Sequence, residues 1–243
     1  CPGAGACGGQ FTANTMACVS EAMGLALPYS AGPPAEVVSR DDFALKSGEQ
    51  VMNLLKLNLR PRAIATRKAF ENAATVVAAT GGSTNAALHL PAMANECGIK
   101  FDLFDVADIF KRTPYIADMK PGGRFVAKDM WEAGGVPLLM RALLDGGYLH
   151  GDCMTVTGKT IAENLKDVKF NPKQEVIRAT SNPLAPTGGV VGLRGNLAPD
   201  GATVKVAGLK HQVHRCPVRV FECEERSEEH TSELQSSGLI SYA

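Results

Sequence analysis

The chain has 243 residues, a formal net charge of zero, 45% hydrophobic residues and 21% charged ones. That balance belongs to globular proteins with a core and excludes the disordered and fibrous classes. It offers no electrostatic footprint for nucleic acid or an acidic membrane surface, and no run reaches the roughly 18–20 apolar residues of a membrane span.

Seven cysteines, at 1, 7, 18, 97, 153, 216 and 223, are odd in number, scattered and without a C-x-x-C pair. They read as reduced thiols of a cytosol-like compartment, not as a disulfide framework. The first of the informative stretches is Cys1-Pro-Gly-Ala-Gly-Ala-Cys7-Gly-Gly, a glycine turn followed by a helix-like run from Thr12, with Thr12 or Asn14 able to cap it. A cysteine on such a turn faces unpaired N–H groups and the positive end of the helix dipole, which favours the thiolate that binds metal or attacks. A buried, inert thiol on a glycine turn is the other reading of Cys7. Gly3 to Gly8 also fits G-x-G-x-x-G, but no strand precedes it, so the dinucleotide reading is set aside.

Pro28 and Gly32-Pro33-Pro34 break the chain. Residues 35–59 then read as a helix pair whose apolar faces include Val38, Phe43, Leu45, Val51, Leu54 and Leu55. An alanine-rich helix follows over 67–79 and should pack closely. The stretch Gly81-Gly82-Ser83-Thr84-Asn85 feeds another helix N-terminus. Ser83, Thr84 and Asn85 either cap that helix or line an anion site suited to a carboxylate or phosphate. His89, mid-helix among apolar residues, reads as a core histidine.

Residues 101–110 read as a short strand turning into a helix, 114–123 as a loop, and 128–131 and 136–144 as two helices. This alternation predicts an α/β layer domain. Thr155-Val-Thr-Gly-Lys-Thr160 invites a phosphate-loop reading, but position 153 is cysteine where that pattern needs glycine. From about Glu175 short β-type runs take over, at 176–178, 189–194, 202–207 and 217–221, with Asp200-Gly201 as a hairpin signal. The texture breaks again at Arg226.

Cys-Pro-Gly-Ala-Gly-Ala-Cys-Gly-Gly-x-Phe-Thr-Ala-Asn-Thr-Met-Ala resembles the iron–sulfur cysteine motif of the dihydroxy-acid and phosphogluconate dehydratase family, which also holds sugar-acid dehydratases. The Ala-Thr-Gly-Gly-Ser-Thr-Asn stretch, residues 150–165 and Leu193-Arg-Gly-Asn-Leu-Ala-Pro-Asp-Gly-Ala resemble the same family in the same order. The resemblance implies a three-layer α/β N-terminal domain, partial here over 1–174, and the first strands of a β-barrel-like C-terminal domain over 175–225. Residues 226–243 are expected to be a non-native tail, since they resemble a translated sequencing adapter.

It further implies that Cys7 is a ligand of an iron–sulfur cluster, the two-iron form ahead of the four-iron one, with Gln10 standing where the family usually has methionine. Iron would act as Lewis acid on a C3 hydroxyl, Mg2+ would fix the substrate, and a serine would take the C2 proton. Two more cluster cysteines are expected before Cys1, one of them in a Cys-Asp-Lys motif. A magnesium glutamate and the serine base are expected after Glu225. No catalytic residue is therefore expected within this chain, which by itself should be inactive. Within the family the motifs favour the branch that dehydrates 2,3-dihydroxy-3-methyl acids in valine and isoleucine synthesis. A sugar-acid dehydratase and a non-catalytic homologue are the alternatives. The implied partners are a small dihydroxy acid and a second copy in a cytoplasmic homodimer, with neither nucleic acid nor membrane.

Overall fold

The computed structural model describes residues 3, 5, 7–171, 173–209, 213, 215 and 217–231, with side chains described only as far as Ser227 in the last stretch. Cys1, Cys216 and everything from residue 232 onward, most of the expected tail, lie outside the described residues.

The alanine-rich stretch forms α4 (Arg67–Thr80), and the rest of the fold is laid against it. Thr66 caps it, accepting from the Ala69 N–H at 3.4 Å, and Gly81 ends it in the left-handed conformation. Small side chains let neighbouring helices approach closely, and every residue from Asn72 to Thr80 is buried. Around it pack α1 (Thr12–Ala22), α5 (Ala86–Glu96) and α6 (Leu103–Arg112).

One core unites Phe70, Val77, Leu90, Ile109 and Phe110 from these helices with Phe101, just ahead of α6. A second gathers Cys18, Ile116, Met119 and Ile177 with α7 (Ala127–Glu132) and α8 (Gly135–Asp145), the two helices expected at 128–131 and 136–144. Buried Asn72 ties the cores to the loop after α8. Its amide donates to the His150 carbonyl at 3.0 Å and accepts from the His150 N–H at 2.8 Å.

The architecture mixes helix and strand, in keeping with part of an α/β dehydratase domain, but helices dominate among the described residues. Among the described residues, regular β structure is one antiparallel hairpin, β1 (Val190–Gly195) with β2 (Ala198–Lys205), and isolated bridges such as Ala117 to Ile177 occur elsewhere. The hairpin lies on α6, with the Arg194 guanidinium 4.0 Å from the Phe104 ring centroid.

Several expectations are corrected. Residues 35–59 form one helix, α2 (Ser39–Leu57), not a pair, and none of its residues is buried. Residues 101–102 are not a strand, because Asp102 instead caps α6 in a capping box with Asp105. Asp200 and Gly201 lie inside β2, and the turn falls at 196–197. A Gly201 Cβ would meet Leu103 and Phe104, so this glycine serves close packing on α6 and not a turn. Residues 217–221 form no strand, and His89 is exposed.

The Thr155–Thr160 turn closes on itself, Thr155 Oγ1 donating to the Lys159 carbonyl at 2.8 Å. It leads into α9 (Ile161–Leu165), which Thr160 caps; the short α3 (Pro61–Ile64), after α2, starts on a proline. The chain divides into two compact units after Gly208, and the second contains α10 (Glu224–Thr231). Among the described residues no helix is long and apolar enough to cross a membrane.

Candidate functional site

Cys7 sits half-buried on its glycine turn ahead of α1, and its Sγ–H donates to the Gly9 carbonyl at 3.2 Å. Two close approaches hold the turn. Gly5, at a φ of 66°, lies so near Ala35 that no Cβ would fit, and the Ala35 N–H donates to the Gly5 carbonyl at 3.1 Å. Gly9 presses against the Lys120 backbone with no room for a Cβ, and the Gln10 N–H donates to the Lys120 carbonyl at 2.7 Å.

Gln10 is wholly buried, and its amide faces two sulfurs, Cys18 Sγ at 3.6 Å and Met130 Sδ at 3.8 Å. Its carbonyl oxygen accepts from Thr15 Oγ1 at 3.2 Å. Thr15 Oγ1 in turn accepts from the Ser83 N–H at 3.1 Å.

The expected helix caps are not formed. Phe11 occupies the cap position of α1 without a side-chain bond. Thr12 is already helical and accepts from Asn85 Nδ2 at 2.7 Å, with Ser83 Oγ 3.2 Å away. The hydroxyls of α1 are drawn to the 83–85 loop, whose polar groups need partners at this depth. Ser83 Oγ also accepts from the Asn85 N–H at 3.3 Å.

The sequence-derived candidates Ser83 and Asn85 are thus brought onto the helix that follows Cys7, while Thr84 is half-buried in the same loop. Thr12, Thr15 and Gln10 were missed as part of this cluster. Their signal was present as two hydroxyls three residues apart on one helix face. Two helix N-termini, of α1 and α5, are fastened side by side, and such ends attract anionic groups.

The neighbouring titratable groups are tuned by burial. It pushes the Cys18 thiol up to about 12 even though the Gln10 amide opposes it, and pushes Cys153 to about 11. Both therefore remain neutral thiols near pH 7. Glu21 is 5% exposed, and burial lifts its carboxyl to about 7 against the N–H groups of Ala31 and Tyr29. Those two bonds, 2.7 and 2.9 Å long, pin the loop that runs on to Ala35 and hence to the Cys7 turn. On the other support, buried Asp118 accepts from the Arg124 N–H at 3.0 Å and from its guanidinium.

Among the described residues no group of three or more His, Cys, Asp or Glu side chains converges to hold a metal ion. A half-buried thiol on a turn, with no side-chain hydrogen-bond partner among the described residues, fits one ligand position of a cluster. The described residues do not complete the set.

Residues 1–164 match the family model for the dihydroxy-acid/6-phosphogluconate dehydratase N-terminal domain, and residues 175–238 match that for the C-terminal domain. The chain is 72% identical over 225 residues to a dihydroxy-acid dehydratase of Pelagibacter ubique, covering 93% of this chain and 39% of that protein. It is 69% identical over 225 residues to dihydroxy-acid dehydratase 2 of Bradyrhizobium diazoefficiens, with the same coverage of each. Against the dihydroxy-acid dehydratase of Mycobacterium leprae it is 54% identical, covering 92% of this chain and 40% of that one. The chain spans about two fifths of the length of these curated relatives. The Cys7 turn, the loop bolted to α1 and both domain matches lead to one conclusion: the chain belongs to the dihydroxy-acid/6-phosphogluconate dehydratase family.

Proposed function

We propose that the whole protein is an iron–sulfur hydro-lyase that dehydrates 2,3-dihydroxy-3-methyl acids to 2-keto acids in valine and isoleucine synthesis. The names of its relatives support this reading, and the single observation that carries it is the half-buried thiol of Cys7 on a turn held from two directions. Cys7 is one cluster ligand, and the remaining ligands and the Mg2+ site belong to parts of the whole protein that this chain does not span. When bound, the cluster supplies a Lewis-acidic iron for the departing hydroxyl.

What this chain's own residues do is simpler. Gly5 and Gly9 fix the thiol, and Ser83 and Asn85 lock the N-termini of α1 and α5 together. The polar loop at Ser83, Thr84 and Asn85 receives the substrate carboxylate. The thiol chemistry and the five free described cysteines support a reducing, cytoplasmic setting.

The test is anaerobic expression of the whole protein beside its Cys7→Ala variant. The parent should be brown, carry a two-iron cluster by Mössbauer spectroscopy, and turn over 2,3-dihydroxy-3-methylbutanoate in preference to an aldonate. The variant should lose colour and turnover together. A coloured, active variant, or a preference for aldonate, would overturn the reading. The 243-residue chain alone should show neither colour nor turnover.

A further inference from the structure

Asn14 is 7% exposed, and among the described residues its Nδ2 has no hydrogen-bond partner. A buried amide donor costs free energy unless something accepts from it. Asn14 stands in the first turn of α1, and a helical side chain leans back over the turn before it. It therefore lies toward Gln10 and Phe11, the end of α1 that the Cys7 turn enters.

Neighbours on the helix fix its direction around the axis. At about 100° per residue, Asn14 stands roughly 20° from Glu21 and roughly 40° from Cys18. Thr12, which faces the 83–85 loop, is on the far side. Cys18 faces Gln10, and Cys7 pushes its thiol up further, so Cys7 lies within electrostatic reach of this face. Glu21 holds the Tyr29 and Ala31 N–H groups of the loop that runs on to Ala35, and Ala35 backs Gly5. Asn14 thus sits on the side of α1 along which that loop returns to the Cys7 turn.

The groups at this end of α1 are donors. The first N–H groups of a helix have no partner within it, and Phe11 offers them no side-chain acceptor. Cys7 in its thiol form donates as well, to the Gly9 carbonyl. As a thiolate it loses that bond and becomes an acceptor, the change that binding a metal requires.

We propose that Asn14 is a positioning residue for the cluster, its Nδ2 donating to the Cys7 sulfur once that sulfur is a metal-bound thiolate. The proposal rests on the reading of Cys7 as a cluster ligand. A donor beside such a sulfur favours the more negative, reduced state and so raises the reduction potential.

The test is potentiometry of the whole protein, purified anaerobically, beside Asn14→Leu and Asn14→Asp. Asn14→Leu keeps the size of the side chain without a donor and should lower the midpoint potential. At the parent's midpoint its reduced-to-oxidised ratio should fall about tenfold, or about 59 mV for one electron. Asn14→Asp adds a negative charge and should lower the potential further. Pulsed EPR of the reduced protein in D2O should show one exchangeable deuteron fewer beside the cluster in Asn14→Leu. In the 243-residue chain without iron, Asn14→Leu should leave the urea midpoint unchanged or raise it, because it removes an unpaired donor. A lower urea midpoint overturns the proposal, since the amide then has a partner without the cluster. A coloured protein whose potential is unchanged in both variants overturns it too and leaves the dehydratase reading standing. A colourless parent overturns that reading and this proposal together.

Discussion

Glu21 is a carboxyl held where water barely reaches, and its two backbone partners do not fully offset the burial. A folded pKa raised from 4.5 to about 7 means the folded state favours the protonated form. The stability it contributes is fully present below the unfolded value and is lost as pH rises through about 7. The whole shift corresponds to on the order of 3 kcal/mol. Urea midpoints of the chain and of Glu21→Gln, measured from pH 4 to 9, should therefore converge in shape only after this decline is removed by the variant. A wild-type curve with the same slope as the variant between pH 5 and 7 would refute it. Gly9→Ala addresses the thiol itself. Its methyl must displace the Lys120 carbonyl, so the Gln10–Lys120 bond should break and alkylation of Cys7 should become faster. An unchanged alkylation rate would mean that the turn is held elsewhere.

Local signals made α4, α7 and α8 legible, because alanine content, caps and 3.6-residue periodicity act within one element. The Cys7 glycine turn was legible for the same reason. What tied it down was not, since Gly5 meets Ala35, Gly9 meets Lys120 and Thr12 meets Asn85, contacts between residues far apart in sequence. Periodicity in α2 recorded that apolar faces exist, but it carries no information on what covers them. Asp200-Gly201 was misread because a glycine that admits a ring and one that permits a turn look alike in a sequence. The fastening of α1 to the 83–85 loop makes a testable pair. Thr12→Val and Asn85→Ala should each cost about 1–2 kcal/mol by chemical denaturation, and the double variant should cost less than their sum. Strict additivity would show that the bond contributes nothing.

Across the molecule, Arg67 joins α4 to α6, reaching Asp105 at 2.7 Å and Glu71 at 3.0 Å, while His150 Nε2 lies 2.7 Å from Glu71. Arg67 holds the Asp105 carboxyl below its usual range. Burial alone would raise Glu71, but Arg67 and His150 outweigh it and lower its pKa. Stability from these depressed carboxyls is present above their unfolded values near 4 and is lost on acidification. Solvent screening limits each to no more than about 1 kcal/mol. Glu21 works in the opposite sense, so thermal stability should peak near pH 5, between the two effects. Arg67→Ala should flatten the acid limb and leave the alkaline limb in place; a loss of both limbs would contradict the separation.

The two supports of the Cys7 turn have a consequence during synthesis. The Lys120 carbonyl leaves the ribosome more than a hundred residues after Cys7 does. At about 5–20 residues per second, the thiol spends on the order of 5–20 s without its second support. The turn can therefore close fully only once the nascent chain has passed Pro121, and alkylation of stalled nascent chains should show protection of this thiol beginning only beyond that length.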